Sequence, residues 1–239
     1  IETTASIHSE GGQIYASRDI QIEAHDFNDI ATVNESKNNN LRYSAGDTGI
    51  ELTGELDISK TLFRSDADTN IRAGNVDLNS TGTKFIVANA LTVDSAANIS
   101  LGTASIKSGG DSTLSAVETI STVQQTDQIL QTETSLSISA AQINNTGLIQ
   151  SKRDSVIAAE SLSNTGRILL STDVVSDIST VQIAQVDNSA TGVIQSISDV
   201  SWEGDSLSSE GQLIFGNIDM NIDDFSLGGG GGLTSGQRP

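Results

Sequence analysis

The phrase "QINNTGLIQS", residues 142–151, is spelled again nineteen residues later inside "SLSNTGRILLS", residues 161–171. The shared grammar is an aliphatic residue, a polar one, Asn-Thr-Gly, one variable residue and Ile. Two looser copies follow, with their glycines at Gly192 and Gly211. A period near twenty residues marks a chain in which each repeat is one unit that stacks on its neighbours. A strand pair of that length cannot bury enough surface alone. Coiled into one rung and stacked, each strand gains a neighbour above and below.

The first half carries a related phrase. "GGQIYASRDIQIEA" (11–24), "TNIRAGNVDLNSTG" (69–82), "NALTVDSAANISLG" (89–102) and "ASIKSGGDSTLSAVETISTV" (104–123) each alternate, turn a small-residue corner and alternate again. Strict alternation over four to six residues is the pattern of a half-buried strand. No long segment has helical spacing. Ser121–Leu136, with Val123, Ile129, Leu130 and Leu136, is the nearest approach and reads as strand or loop. The expected fold is therefore all-β, a parallel β-helix (solenoid) with coils of about twenty residues. Aromatics are only 3% of the chain, so small aliphatics must fill the interior. Ile143, Ile149, Leu162, Ile168, Leu170, Val186, Ile194, Leu207 and Leu213 are assigned to inward columns. Trp202 is expected at a turn or a rung edge, because the inside of such a coil is narrow. Gly147 and Gly166 are expected to supply positive φ at the repeated corner, and Asn145 and Asn164 there are placed to form a hydrogen-bonded ladder.

Residues 1–227 read as a single β-helix segment, interrupted by a polar excursion near 27–44. Residues 228–239, "GGGGGLTSGQRP" after Leu227, have the composition of a flexible tail or linker. The chain opens already in strand-like alternation, without an initiating Met or a signal peptide, and is expected to be a piece of something longer.

These phrases resemble the filamentous haemagglutinin family, the large exoproteins of bacterial two-partner secretion, which include adhesins and contact-dependent growth inhibition effectors. "AESLSNTGRI" (159–168) looks like one of their repeat types; "GGQIYASRDIQIEA" and "IRAGNVDLNSTGTKFIVANALTVDS" (71–95) look like the other. That second type carries polar excursions, and "FNDIATVNESKNNNLRYSAG" (27–46) fits one. The resemblance covers most of residues 8–218. It implies a right-handed parallel β-helix, export through an outer-membrane two-partner secretion transporter, and a secreted or cell-surface location. It further implies a shaft that holds an adhesive or toxin module toward a receptor on a host or neighbouring cell.

Composition narrows the chemistry. Twelve Lys and Arg stand against 31 Asp and Glu, a formal charge of −19 shared by both halves. No basic patch stands out, so nucleic acid is not an expected partner, and an evenly acidic surface points to a monomer. No apolar run is long enough to span a membrane. There is no Cys, and His8 and His25 stand alone, so no metal site and no cofactor is expected. Asp66 and Asp68 in "RSDADTN" read as a corner rather than a calcium loop; Asp219, Asp223 and Asp224 read as a solvated acidic edge. No catalytic grammar appears, and the chain is not expected to be an enzyme. The alternatives kept open are a β-helical polysaccharide-degrading enzyme and a trimeric phage tail-spike segment. The surface most suited to a partner is the excursion, with Phe27, Lys37, Arg42 and Tyr43, since loops on a rigid scaffold often bind.

Overall fold

The structure is a computed structural model, and residues 1–10, 12–30, 40–78, 83–123, 130–174 and 176–236 are described. They form 25 strands in one sheet and, among the described residues, no helix. Through the first half, each strand pairs in parallel with the strand three places further on. The chain thus winds about ten coils, roughly 21 residues apart, with three faces. The first face begins with Ile7–Glu10, the second with Gln13–Ala16 and the third with Ile20–Ala24. From Leu136 onward the third and first faces run together as single strands, such as Leu136–Asn145 and Ser155–Asn164.

Alternation sends every second side chain inward, and the parallel register piles those side chains into columns. The first face stacks Ile7, Phe27, Leu56, Val76, Ile99, Ile120, Ile143, Leu162, Val186, Leu207 and Phe225. The third stacks Ile22, Ile50, Ile71, Val93, Leu114, Ile138, Ile157, Val181, Trp202 and Met220. All nine aliphatic positions assigned from the repeats are buried in this core. Burial of each contributes about 1.5–3 kcal/mol.

Trp202 corrects its expectation: it lies in the third-face column at 1% exposure. Gly204, two residues further along the same strand, is required by approach: a Cβ there would run into the carbonyl of Ile183 one coil earlier. Phe215 meets the ring edge-on, with centroids 6.1 Å apart. The interior also takes Phe27, Phe63, Phe85 and Phe215, so it is wider than the scarcity of aromatics suggests.

The repeated corner also differs from expectation in its glycines. Among the described residues the only glycine with positive φ is Gly102, at 49°, so Gly147 and Gly166 are not there for left-handed backbone. Gly166 is required by approach instead. A Cβ on it would run into the carbonyl of Gly147, the same corner one coil earlier.

The Asn ladder is present. Thr122 Oγ1 donates to Asn145 Oδ1 at 2.7 Å, Asn145 Nδ2 to Asn164 Oδ1 at 2.7 Å, Asn164 Nδ2 to Asn188 Oδ1 at 2.7 Å, and Asn188 Nδ2 to Ser209 Oγ at 2.9 Å. All five side chains are buried. Each amide offers a donor to the next coil and an acceptor to the previous one, so the row satisfies itself.

A second ladder, of carboxylates, runs along the corner between the second and third faces. Asp19 Oδ1 accepts from Asp47 N at 3.0 Å, Asp47 Oδ1 from Asp68 N at 3.2 Å, Asp68 Oδ1 from Ala90 N at 3.1 Å, and Asp111 Oδ1 from Ser135 N at 3.2 Å. Asp68 is thereby taken up by the corner, as its sequence context suggests.

The stretch from 228 is not all tail. Gly232–Ser235 pairs in parallel with Gln212–Phe215 and adds a further strand to the second face. Gly228–Gly231 forms the turn that leads to it, with Gly231 N donating to Gly228 O at 2.7 Å.

Candidate functional site

The excursion is shorter than its sequence suggests. Phe27–Ile30 and Asn40–Ser44 are ordinary strands of the first and second faces. Ile7 pairs with Phe27, 20 residues on, whereas Ile14 pairs with Arg42, 28 residues on. About eight residues are therefore inserted between Ile30 and Asn40. Lys37 falls there and lies outside the described residues. Phe27 is a core residue at 1% exposure and cannot meet a partner, because strand alternation points it inward.

Arg42 is a second correction. It occupies an inward position in the second-face column, between Ile14 and Phe63, at 2% exposure. Its Nη2 pairs with Asp29 Oδ1 and donates to Ser9 Oγ at 2.6 Å; its Nη1 donates to the carbonyls of Gly12 at 2.9 Å and Leu41 at 3.0 Å. Thr61 Oγ1 donates to Asp29 Oδ2 at 3.2 Å. Burial pushes the Asp29 carboxyl above its ordinary value, against the opposing pull of Arg42 and of the Ser9 and Thr61 hydroxyls. The pair joins the two chain segments that flank the insertion. It is a clamp at the base of the excursion, not a contact surface.

Tyr43 points outward. Its ring stacks on Tyr15 with centroids 4.6 Å apart, and the Arg64 guanidinium lies 5.7 Å from its centroid on the following coil. Tyr15 and Arg64 are its register neighbours on either side. Asp66 accepts from the Tyr43 hydroxyl at 2.6 Å and from Arg64 Nε at 3.0 Å. The Tyr43 hydroxyl, then Arg64, hold the Asp66 carboxyl below the usual carboxylate range, and the Asp66 bond raises Tyr43. Tyr15 is 72% exposed.

This cluster opens a strip that continues along the whole second face. Its outward positions include Leu41, Leu62, Arg64, Lys84, Ile86, Lys107, Gln131, Leu148, Gln150, Arg167, Leu169, Val193, Gln195 and Ile214. Among the described residues, no strand segment on this face contains an Asp or a Glu, although the chain has 31. The first face shows Glu10, Glu55, Asp57, Asp77, Asp187 and Asp224. The third shows Glu23, Glu51, Asp94, Glu203 and Asp219. The surface is acidic on two faces and at the corners, not evenly. Sequence reading missed this because composition was averaged over halves of the chain. Sorting the strands by phase of three would have exposed it.

The third face carries a shallow depression where Gly49 replaces a side chain, lined by Gln21, Asn70, Arg72 and Thr92. Arg72 lies between Glu51, at 3.8 Å, and Asp94, at 3.4 Å. His8 and His25 stay apart: His8 is outward on the first face, and His25 Nδ1 is 2.8 Å from Thr53 Oγ1. Asp219, Asp223 and Asp224 are exposed on the last full coil. No helix among the described residues is long and apolar enough to cross a membrane.

No protein-family model, curated protein or solved structure matches this chain.

Proposed function

We propose that this chain is a shaft segment of a large secreted or cell-surface bacterial exoprotein, holding an adhesive or toxin module away from the cell. The observation that carries this reading is the continuity of the inward columns through about ten stacked coils. Each coil adds about 4.8 Å of reach, so the segment is a rod of roughly 50 Å. Repetition is the mechanism: a coil needs only its neighbours, so length can be set by coil number. The quoted repeat phrases, which resemble those of filamentous haemagglutinins, support export through an outer-membrane transporter, and receptors on a host or neighbouring cell as the target of the carried module.

Antibody against this chain, applied to intact cells that make the parent protein, is the test. Labelling without lysis is the expected result; labelling only after lysis contradicts the reading. The enzymatic alternative has one specific place to act, the third-face depression with Glu51 and Asp94 flanking Arg72. Release of reducing ends from a glycan panel, abolished by Glu51→Gln, would replace the shaft reading with that one.

A further inference from the structure

We infer that the second face is a pairing surface, through which two copies of this chain lie side by side and antiparallel. The inference is independent of what the rod carries. Its first support is composition. Interface cores are depleted in Asp, Glu and Lys and enriched in aromatics and Arg. The second face has exposed Tyr15, partly buried aliphatics such as Leu62, Leu169 and Ile214 and, among the described residues, no carboxylate in its strand segments. Ile86, in the middle of a strand, is 42% exposed.

Area is the second support. A strip four to five residues wide and about ten coils long covers roughly 15 Å by 50 Å. That is about 750 Å², close to the ~800 Å² per partner of a standard stable interface.

Charge selects the occupant and its direction. Two bodies of charge −19 repel wherever first or third faces or acidic corners meet. Only the second face lets two copies touch without setting carboxylate strands against carboxylate strands. Its cations Arg64, Lys84 and Lys107 sit in the amino-terminal half, and Arg167 alone in the other. A parallel pair would set each cation against its own copy. An antiparallel pair centred at Gln131 sets Arg64 against Val193 and Lys107 against Leu148, and leaves one like-charge meeting, Lys84 with Arg167, in place of four. Such a two-fold contact is closed, so it makes a dimer and not a growing array. The expectation of a monomer assumed an even charge, which the three faces do not have.

Sedimentation of the whole chain at tens of micromolar tests this. The expected mass is twice the 24.9 kDa of one chain, and the dimer should strengthen as salt rises and screens the like net charges. The double variant Ile86→Asp/Leu169→Asp, at outward positions, should sediment as a monomer with an unchanged circular dichroism spectrum. Ser163→Asp, outward on the first face, should remain a dimer. Because the chain has no Cys, Gln131→Cys near the middle of the strip should oxidise to a linked dimer, and Tyr15→Cys at its end should not. A wild-type monomer overturns the pairing and leaves the shaft reading intact. A trimer overturns the pairing and favours the tail-spike alternative. Binding of polyglutamate to a monomer, lost on adding salt, would assign the strip to an anionic partner instead. A Tyr15→Cys homodimer contradicts the antiparallel arrangement.

Discussion

One inward column, the last position of the first face, solves the same problem differently at its two ends. It runs Ser9, Asp29 and Ile58, then Thr122, Asn145, Asn164, Asn188 and Ser209, with the buried Leu78 and Leu101 between and a bulge where Gly102 pairs with Thr122. In the middle it is plain aliphatic. Toward the carboxy-terminal end it is a row of neutral amides, each bonded to the next coil. Toward the amino-terminal end it holds a carboxylate that relies on Arg42 from the neighbouring face. The amide solution propagates because Asn is both donor and acceptor, so one residue type repeated suffices. The ionic solution cannot propagate: Asp only accepts when ionised and Arg only donates. Among the described residues it occurs once, at the base of an insertion of about eight residues, where two segments must be held in register across an interruption.

The comparison can be broken most severely at the ion pair. Asp29→Ala leaves the Arg42 guanidinium buried without its carboxylate and should cost about 3–5 kcal/mol. The double variant Asp29→Leu/Arg42→Leu should recover most of that loss, since Asp29 has Ile58 beside it in its column and Arg42 has Ile14 and Phe63. Urea denaturation of both variants checks the pair, and equal losses in the single and double variants would contradict it. Next in size is the ladder. Asn164→Ala strands Asn145 Nδ2 and Asn188 Oδ1 and should cost about 2–3 kcal/mol in the same measurement; a solvated turn would lose almost nothing.

Gly166→Ala drives a methyl group into the preceding corner and should cost about 1–3 kcal/mol. Gly229→Ala, with open space around it, should fall within about 0.5 kcal/mol of wild type. The smallest effect concerns pH. Asp66 is held low by Tyr43 and Arg64, so the folded chain releases a proton that the unfolded chain keeps. Its stabilisation is present above the ordinary carboxylate value and is lost as pH falls through its folded value. Stability curves of wild type and Asp66→Asn should converge in acid and separate toward neutrality.

What was legible followed from repetition. Asn145 and Asn164 stand in the same phrase nineteen residues apart, so their stacking and the burial of Ile143, Leu162 and Ile168 could be read directly. The Asp29–Arg42 clamp could not, because it joins different faces across an insertion and has no second copy. Trp202 is not legible as core because the scarcity of aromatics argues for a narrow interior, whereas the register places it in the third-face column. At the corner, Gly166 is set by the carbonyl one coil away and not by its dihedral, a constraint that a single phrase does not carry. The excursion was drawn too wide because Phe27 and Arg42 look like loop residues beside Asn and Lys, while alternation makes them core. The carboxylate-free face needed the three-strand phase, which single phrases do not reveal.

The central claim is parallel stacking of successive coils, and distances along one outward column test it most directly. Thr92 pairs with Thr113, then Ser137, Val156 and Thr180 follow in turn on the third face. With no native Cys, spin labels at Thr92 and at each of the others report backbone separations cleanly. The account predicts separations that grow by about 4.8 Å per coil, reaching about 19 Å at Thr180. Separations that do not rise evenly with coil number would contradict it.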